Sequence, residues 1–180
     1  MYKIMVVDDE ENILKVIRRS LAKFKDWQVD IFSEPEIALQ NAMKKQYDLY
    51  ISDYRMPKMD GISFLKNVKL MQPDSMRMVL SGYTDLEALM GSINEAEIFR
   101  FITKPWDDEY LLMSIEQALS YRDAFIENKR LASQVKSQRA ELDKQKRLLE
   151  EYKDKHPDIF NVEWADDGSI ILDESELDSN

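Results

Sequence analysis

Cysteine is absent from this 180-residue chain, and histidine occurs once, at His156. Disulfides and thiolate zinc sites are thereby excluded, and a lone imidazole supplies neither a histidine metal cluster nor a His-Asp phosphohydrolase site. Glycine is scarce, with four residues, and no Gly/Ser-rich linker or internal repeat divides the chain. Long apolar runs are also missing. The opening MYKIMVVDDE turns acidic at Asp8, which fits neither a signal peptide nor a membrane span, so a cytoplasmic protein without membrane contact is expected. Positive charge is in deficit, 25 Lys and Arg against 35 Asp and Glu, for a formal net charge of -10. The deficit is uneven: residues 154–180 carry nine acids and one base, whereas residues 120–153 carry nine bases and six acids. Binding nucleic acid requires a concentrated basic face, so no nucleic-acid partner is expected, and the mild basic surplus reads as a solvated helix face.

What the chain does hold is 44% hydrophobic residues in two alternating periods. Short apolar runs at 3–7, 28–32, 48–53, 76–81 and 98–102 read as strands. Between them, Ile13, Leu14, Ile17, Leu21 and Phe24 recur at helical spacing, as do Ile37, Ala38, Leu39, Ala42 and Met43, and then Ile62, Phe64, Leu65, Val68 and Leu70. Ser33 with Glu36 looks like a capping box, Pro35 falls in the first turn, and Pro73 stops the third helix. Residues 84–92 read as a short fourth helix, and a last helix starts at Asp107 with no clear stop before Pro157. Five alternations of strand and helix within about 120 residues predict an α/β, flavodoxin-like (βα)5 fold with a central five-stranded parallel sheet.

That fold gathers strand ends into one crevice. The first strand delivers Asp8 and Asp9, the third Asp53, the fourth Ser81, and the fifth Lys104. Pro57 and Gly61 turn the chain after Asp53 into the next helix, and Pro105 fixes the loop after Lys104. Three neighbouring carboxylates repel one another unless a cation joins them, and a hard oxygen-binding ion such as Mg²⁺ is suited to the task. Asp9 and Asp53 are expected as direct ligands, Asp8 through water, with the backbone carbonyl of Arg55 closing the shell. A nucleophilic carboxylate, a metal, an ammonium and a hydroxyl are the parts an aspartyl phosphate needs. Each residue also has a plainer reading: Asp8 and Asp9 as helix caps, Asp53 as a turn cap, Lys104 as a surface lysine, Ser81 as part of a Ser-Gly turn.

VVDDEENIL at 6–14, SDYRMPKMDG at 52–61, LSGY at 80–83 and FITKPW at 101–106 together resemble the receiver domain of two-component response regulators, over about residues 1–121. The resemblance implies that Asp53 accepts a phosphoryl group from a partner histidine kinase, that Asp8, Asp9 and Asp53 hold Mg²⁺, and that Lys104 contacts the phosphate. It further implies that Ser81 is the switch hydroxyl and Phe101 the switch aromatic. Many members carry Thr and Tyr at these two positions, so here ring burial alone is left as the signal at Phe101. A phosphoryl group adds about -1.5 to -2 charges and three acceptors. Ser81 would move toward it, Phe101 would fill the space, and the face formed by helix 84–92, the fifth strand and the last helix would change. Arg55 and Tyr83, on the rim, are candidates for tuning hydrolysis. Beyond this self-phosphorylation and autodephosphorylation no enzyme activity is expected.

Three segments are expected: a receiver over 1–121, a helical connector over 122–155, and an acidic tail over 156–180 with two short strands around Asp166, Asp167 and Gly168, a hairpin signal. In the connector, Asn128, Val135, Leu142 and Leu149 occupy one heptad core position and Leu131, Gln138, Gln145 and Tyr152 the other, with Glu141 and Lys146 flanking. A coiled-coil homodimer is expected, against a solvated single helix or one packed on its own domain. Output is expected through contact with a downstream protein, since the region after the receiver has no room for a full DNA-binding or catalytic domain. Two alternatives remain: a dimerisation scaffold with a vestigial receiver, and an aspartyl-phosphate phosphohydrolase. The latter expects a second Asp two residues after the nucleophile, where this chain has Arg55.

Overall fold

Val6 and Val7 end the first strand, β1 (Tyr2–Val7), because the next three residues are acids that a strand buried on both faces does not admit. The computed structural model describes residues 1–82, 96–156, 163–164 and 170–171. After β1 come α1 (Glu11–Leu21), β2 (Trp27–Phe32), α2 (Pro35–Ala42), β3 (Leu49–Asp53), α3 (Gly61–Met71), β4 (Met76–Gly82) and β5 (Arg100–Lys104). A 48-residue helix, α4 (Asp108–Lys155), follows, then β6 (Glu163–Trp164) and β7 (Ile170–Ile171). The expected helix over 84–92, Tyr83 and the turn around Gly168 lie outside the described residues.

β1 to β5 form one parallel sheet in the order β2-β1-β3-β4-β5, the flavodoxin-like order expected from the sequence. The order reverses between β1 and β3, and the crevice at the carboxyl ends of these two strands is where such sheets bind ligands. Side chains alternate across the sheet and build two cores. On one face Ile4, Val6, Leu49, Ile51, Met78, Leu80 and Ile102 pack under α1 and the Leu111–Leu119 part of α4. On the other, Met5, Val7, Tyr50 and Val79 pack under α2 and α3, with Phe64, Leu65 and Val68 fully buried.

Several boundaries differ from the sequence reading, each for a local reason. β5 starts at Arg100 rather than Ile98: the ladder opens at the Met78–Arg100 pair, and Phe99 packs its ring on Tyr121. Ser33 does not cap α2. Pro35 occupies the first helical turn, which makes Glu34 the extended residue before it, with φ -126° and ψ 122°. The capping box is therefore not formed, and Glu36 Oε2 is buried without a hydrogen-bond partner among the described residues. The apolar stripes are narrower than their sequences, since Met43 and Leu70 are exposed. α3 is capped instead by Asp60, whose carboxylate accepts from the Ser63 amide and hydroxyl. Asp107 caps α4 by accepting from the Tyr110 amide.

Two compact units are distinguished, Met1–Asn128 and Lys129–Asn180. In the second, every described residue of 129–156 is exposed, and β6 and β7 pair antiparallel with Trp164 opposite Ile170, as the hairpin signal anticipates. No helix among the described residues is long and apolar enough to cross a membrane.

Candidate functional site

Asp8, Asp53 and Lys104 meet because the pleat sends them the same way. Val6, Ile51 and Ile102 point to the α1/α4 core, and two residues further along the chain stand Asp8, just past the end of β1, Asp53, the last residue of β3, and Lys104, the last of β5. Lys104 Nζ lies 2.5 Å from Asp53 Oδ1, 2.7 Å from Asp8 Oδ2 and 3.7 Å from Glu10 Oε1. Asp8 is fully buried and Asp53 is 5% exposed. The plainer readings of two residues are thus resolved by geometry. Lys104 is no surface lysine, and Asp8 holds the turn and the ammonium together, its Oδ1 accepting from the Glu10 amide. Glu10 was legible only as part of the acidic break, and nothing in its spacing announced that Lys104 would reach it.

Electrostatics follow from this burial. Desolvation pushes the Asp8 carboxyl up to about 6, against the Lys104 ammonium and the Glu10 amide, which pull it down. Desolvation likewise raises Asp53, opposed by Lys104 and by the Arg55 amide that donates to it. At Lys104, burial pulls the ammonium down, but its hydrogen bonds to Asp53 and Asp8 outweigh that and hold it above the ordinary lysine value. One cation is therefore shared by two buried carboxylates, leaving excess negative charge.

The remaining predicted residues surround this trio. Asp9 is exposed and lines an open cleft with Tyr54, Arg55, Met56, Pro57 and Asp60. Among the described residues no group of three or more His, Cys, Asp or Glu side chains is arranged to hold a metal ion, since Lys104 lies between Asp8 and Asp53 while Asp9 faces outward. The donor chemistry nevertheless fits a hard divalent cation: carboxylate oxygens short of positive charge beside an open cleft. Ser81, 1% exposed, donates to the Gly82 carbonyl at 3.1 Å and pairs with Thr103. Its strand parity is that of Val79 and Phe101 on the α2/α3 face, so Ser81 and Phe101 share one side of the sheet, and Asp8, Asp53 and Lys104 continue the other. Phe101 is half-buried against that core.

Gly61 brings the loop back onto the site. Its amide donates to the Tyr54 carbonyl at 2.9 Å, and a Cβ there would overlap the Asp53 carbonyl oxygen. Besides Glu10, sequence reasoning missed the part played by Asp60, whose cap on α3 fixes this return, although the Asp-Gly-x-Ser pattern carried the signal.

The raised Asp8 carboxyl has a consequence for stability. Its value in the folded chain, about 6, lies above the ordinary carboxylate value near 4. The folded state then binds the proton more tightly, so this contribution is fully present below about pH 4 and is lost as pH rises toward about 6. Asp8→Asn in metal-free buffer is expected to be more stable than the wild type at pH 7.5 by about 2 kcal/mol, with the difference vanishing near pH 4. Urea melts at the two pH values check this; equal stabilities at pH 7.5 would contradict it.

The model of the response regulator receiver domain family matches residues 4–116. The hydrogenase transcriptional regulatory protein HoxA of Cupriavidus necator is 34% identical over 116 residues, 64% of this chain and 24% of that protein. The DNA-binding transcriptional regulator NtrC of Escherichia coli is 30% identical over 118 residues, 66% of this chain and 25% of that protein. The chain thus spans about a quarter of the length of these curated relatives. Among solved structures, the signal receiver domain of an HD domain-containing protein from Pseudomonas fluorescens Pf-5 is similar with a TM-score of 0.66 and 33% identity, covering 70% of this chain and 92% of that one.

Proposed function

Because this chain belongs to the response regulator receiver domain family, we propose that Asp53 is its phosphoacceptor and that a histidine kinase is the donor. The observation that carries the reading is the Asp8–Lys104–Asp53 arrangement at the switch point of the sheet, with the ammonium 2.5 Å from Asp53. An oxygen of the Asp53 carboxylate attacks phosphorus, the bond from phosphorus to the donor's imidazole nitrogen breaks, and the imidazole keeps the electron pair and takes up a proton. Lys104, already charged and in place, stabilises the phosphoryl oxygens during transfer. Asp8 is ionised at neutral pH and keeps Lys104 oriented. Asp9, Asp53, Asp8 and the Arg55 carbonyl would hold Mg²⁺, which when bound supplies the positive charge that the carboxylates and incoming phosphoryl group require.

Downstream, Ser81 leaves the Gly82 carbonyl for a phosphoryl oxygen, and Phe101, half-buried on the same side, follows into the space released. Arg55, exposed on the rim, and Tyr83 tune access of water to the phosphoryl group. Output is through protein contact. Residues 154–180, with nine acids and one base, carry the sign of charge that a nucleic-acid backbone repels.

Incubation with acetyl phosphate is expected to add one phosphoryl group per chain in the presence of Mg²⁺, and mass spectrometry should place it on the peptide containing Asp53. Chelation with EDTA should suppress the reaction to near background, and metal-independent labelling would remove the proposed metal role. A pull-down with and without a stable phosphoryl mimic then reports whether partner binding depends on the switch.

A further inference from the structure

Every residue of 129–155 is exposed although the stretch is helical throughout, which leaves an apolar stripe in water. Leu131, Val135, Leu142, Leu149 and Tyr152 are 43% to 54% exposed and fall on one side at spacings of four, seven, seven and three. Helices of this kind gain most of their stability from burying such a stripe. We propose that residues 128–152 form one strand of a parallel, in-register coiled coil whose other strand is a second copy of this chain. The inference is independent of phosphorylation at Asp53.

Charge decides the occupant and its direction. With Val135, Leu142 and Leu149 at the a positions, the e column reads Arg139, Lys146, Lys153, and the g column reads Gln134, Glu141, Leu148. A parallel pair sets each g residue beside the e residue five further along the partner, which brings Glu141 to Lys146 twice across the two-fold axis. An antiparallel pair would set one basic e column against the other. Asn128, at an a position, favours one register because only the matched arrangement pairs the two amides with each other. Leu131 at d beside Val135 at a favours two strands over three. Gln138 and Gln145 at d weaken the centre of the seam, so the association is a reversible one.

The absence of cysteine makes the test clean. Val135→Cys, Leu142→Cys and Leu149→Cys, each introduced singly into the full chain, should all form disulfide-linked dimers on mild oxidation, whereas Ala140→Cys on the outer face should not. Self-crosslinking confined to one of the three positions would overturn the parallel orientation, because an antiparallel pair brings like residues together only at its axis. Crosslinking no better than at Ala140 would overturn the coil itself. Sedimentation of the unmodified chain should show a dimer. Lys146→Glu should raise its dissociation constant about tenfold, and the double variant Glu141→Lys, Lys146→Glu should bring it back. A monomer at all concentrations, or a swap that fails to restore association, would overturn the proposal.

Discussion

Asp53→Asn is expected to abolish labelling by acetyl phosphate while leaving the chain folded. The amide has the shape of the carboxylate, so it fills the same buried site, and its carbonyl still accepts from the Arg55 amide. What it lacks is the negative oxygen that attacks phosphorus. Burial raises the Asp53 carboxyl even with Lys104 beside it, so removing the charge relieves a desolvation penalty and the variant should not melt below the wild type. Lys104 keeps Asp8 as its partner at 2.7 Å. Loss of labelling with an unchanged melt therefore isolates chemistry from folding. Labelling at the wild-type rate would place the phosphoacceptor elsewhere and end the assignment.

Gly61→Ala should be the most damaging single methyl group in the first unit. Gly61 opens α3 directly against the end of β3, and a Cβ would overlap the carbonyl oxygen of Asp53 while lying 2.9 Å from Ser52 Oγ. The obstacle is backbone of a fully buried strand, which cannot swing aside as a flexible side chain would. Either α3 withdraws, breaking the Gly61–Tyr54 hydrogen bond, or the end of β3 moves and carries Asp53 with it. A loss of about 3 kcal/mol is expected, read as a fall in melting temperature of about 10 °C. Phosphodonor labelling should drop in the same variant, since the Asp53–Lys104 geometry depends on that strand end. A wild-type melt together with wild-type labelling would show that the loop has room the geometry denies it.

Most of the site was legible because its parts are punctuated by chemistry. Acids stopping an apolar run, as at Asp8 and Asp53, and a lysine before proline, as at Lys104, mark strand ends without any knowledge of packing. The α4 start at Asp108 was legible within one residue, since Asp107 is a capping side chain at the head of a periodic stretch. The strand carrying Lys104 was read two residues too early. Hydrophobicity reports burial rather than pairing, so Ile98 and Phe99 looked like the start of β5, and charged Lys104 looked like its exit although it pairs with Gly82. At α2 the serine-glutamate pattern misled because Pro35 fixes where the helix begins and Ser33 lies one residue too far out.

By itself the sequence determined the alternation of strands and helices, the sheet class, the membership of the carboxylate and lysine set, and the heptad of the long helix. All of these depend on residue type and spacing along one dimension. Only the tertiary structure decided that Lys104 stands between Asp8 and Asp53 while Asp9 faces the open cleft, that Glu10 is within its reach, and that Ser81 and Phe101 share the opposite face from the trio. Those relations join residues up to 96 apart. They are set by strand order, by the parity of the pleat at each strand end and by which charges burial forces together, and none of these is written in any single segment.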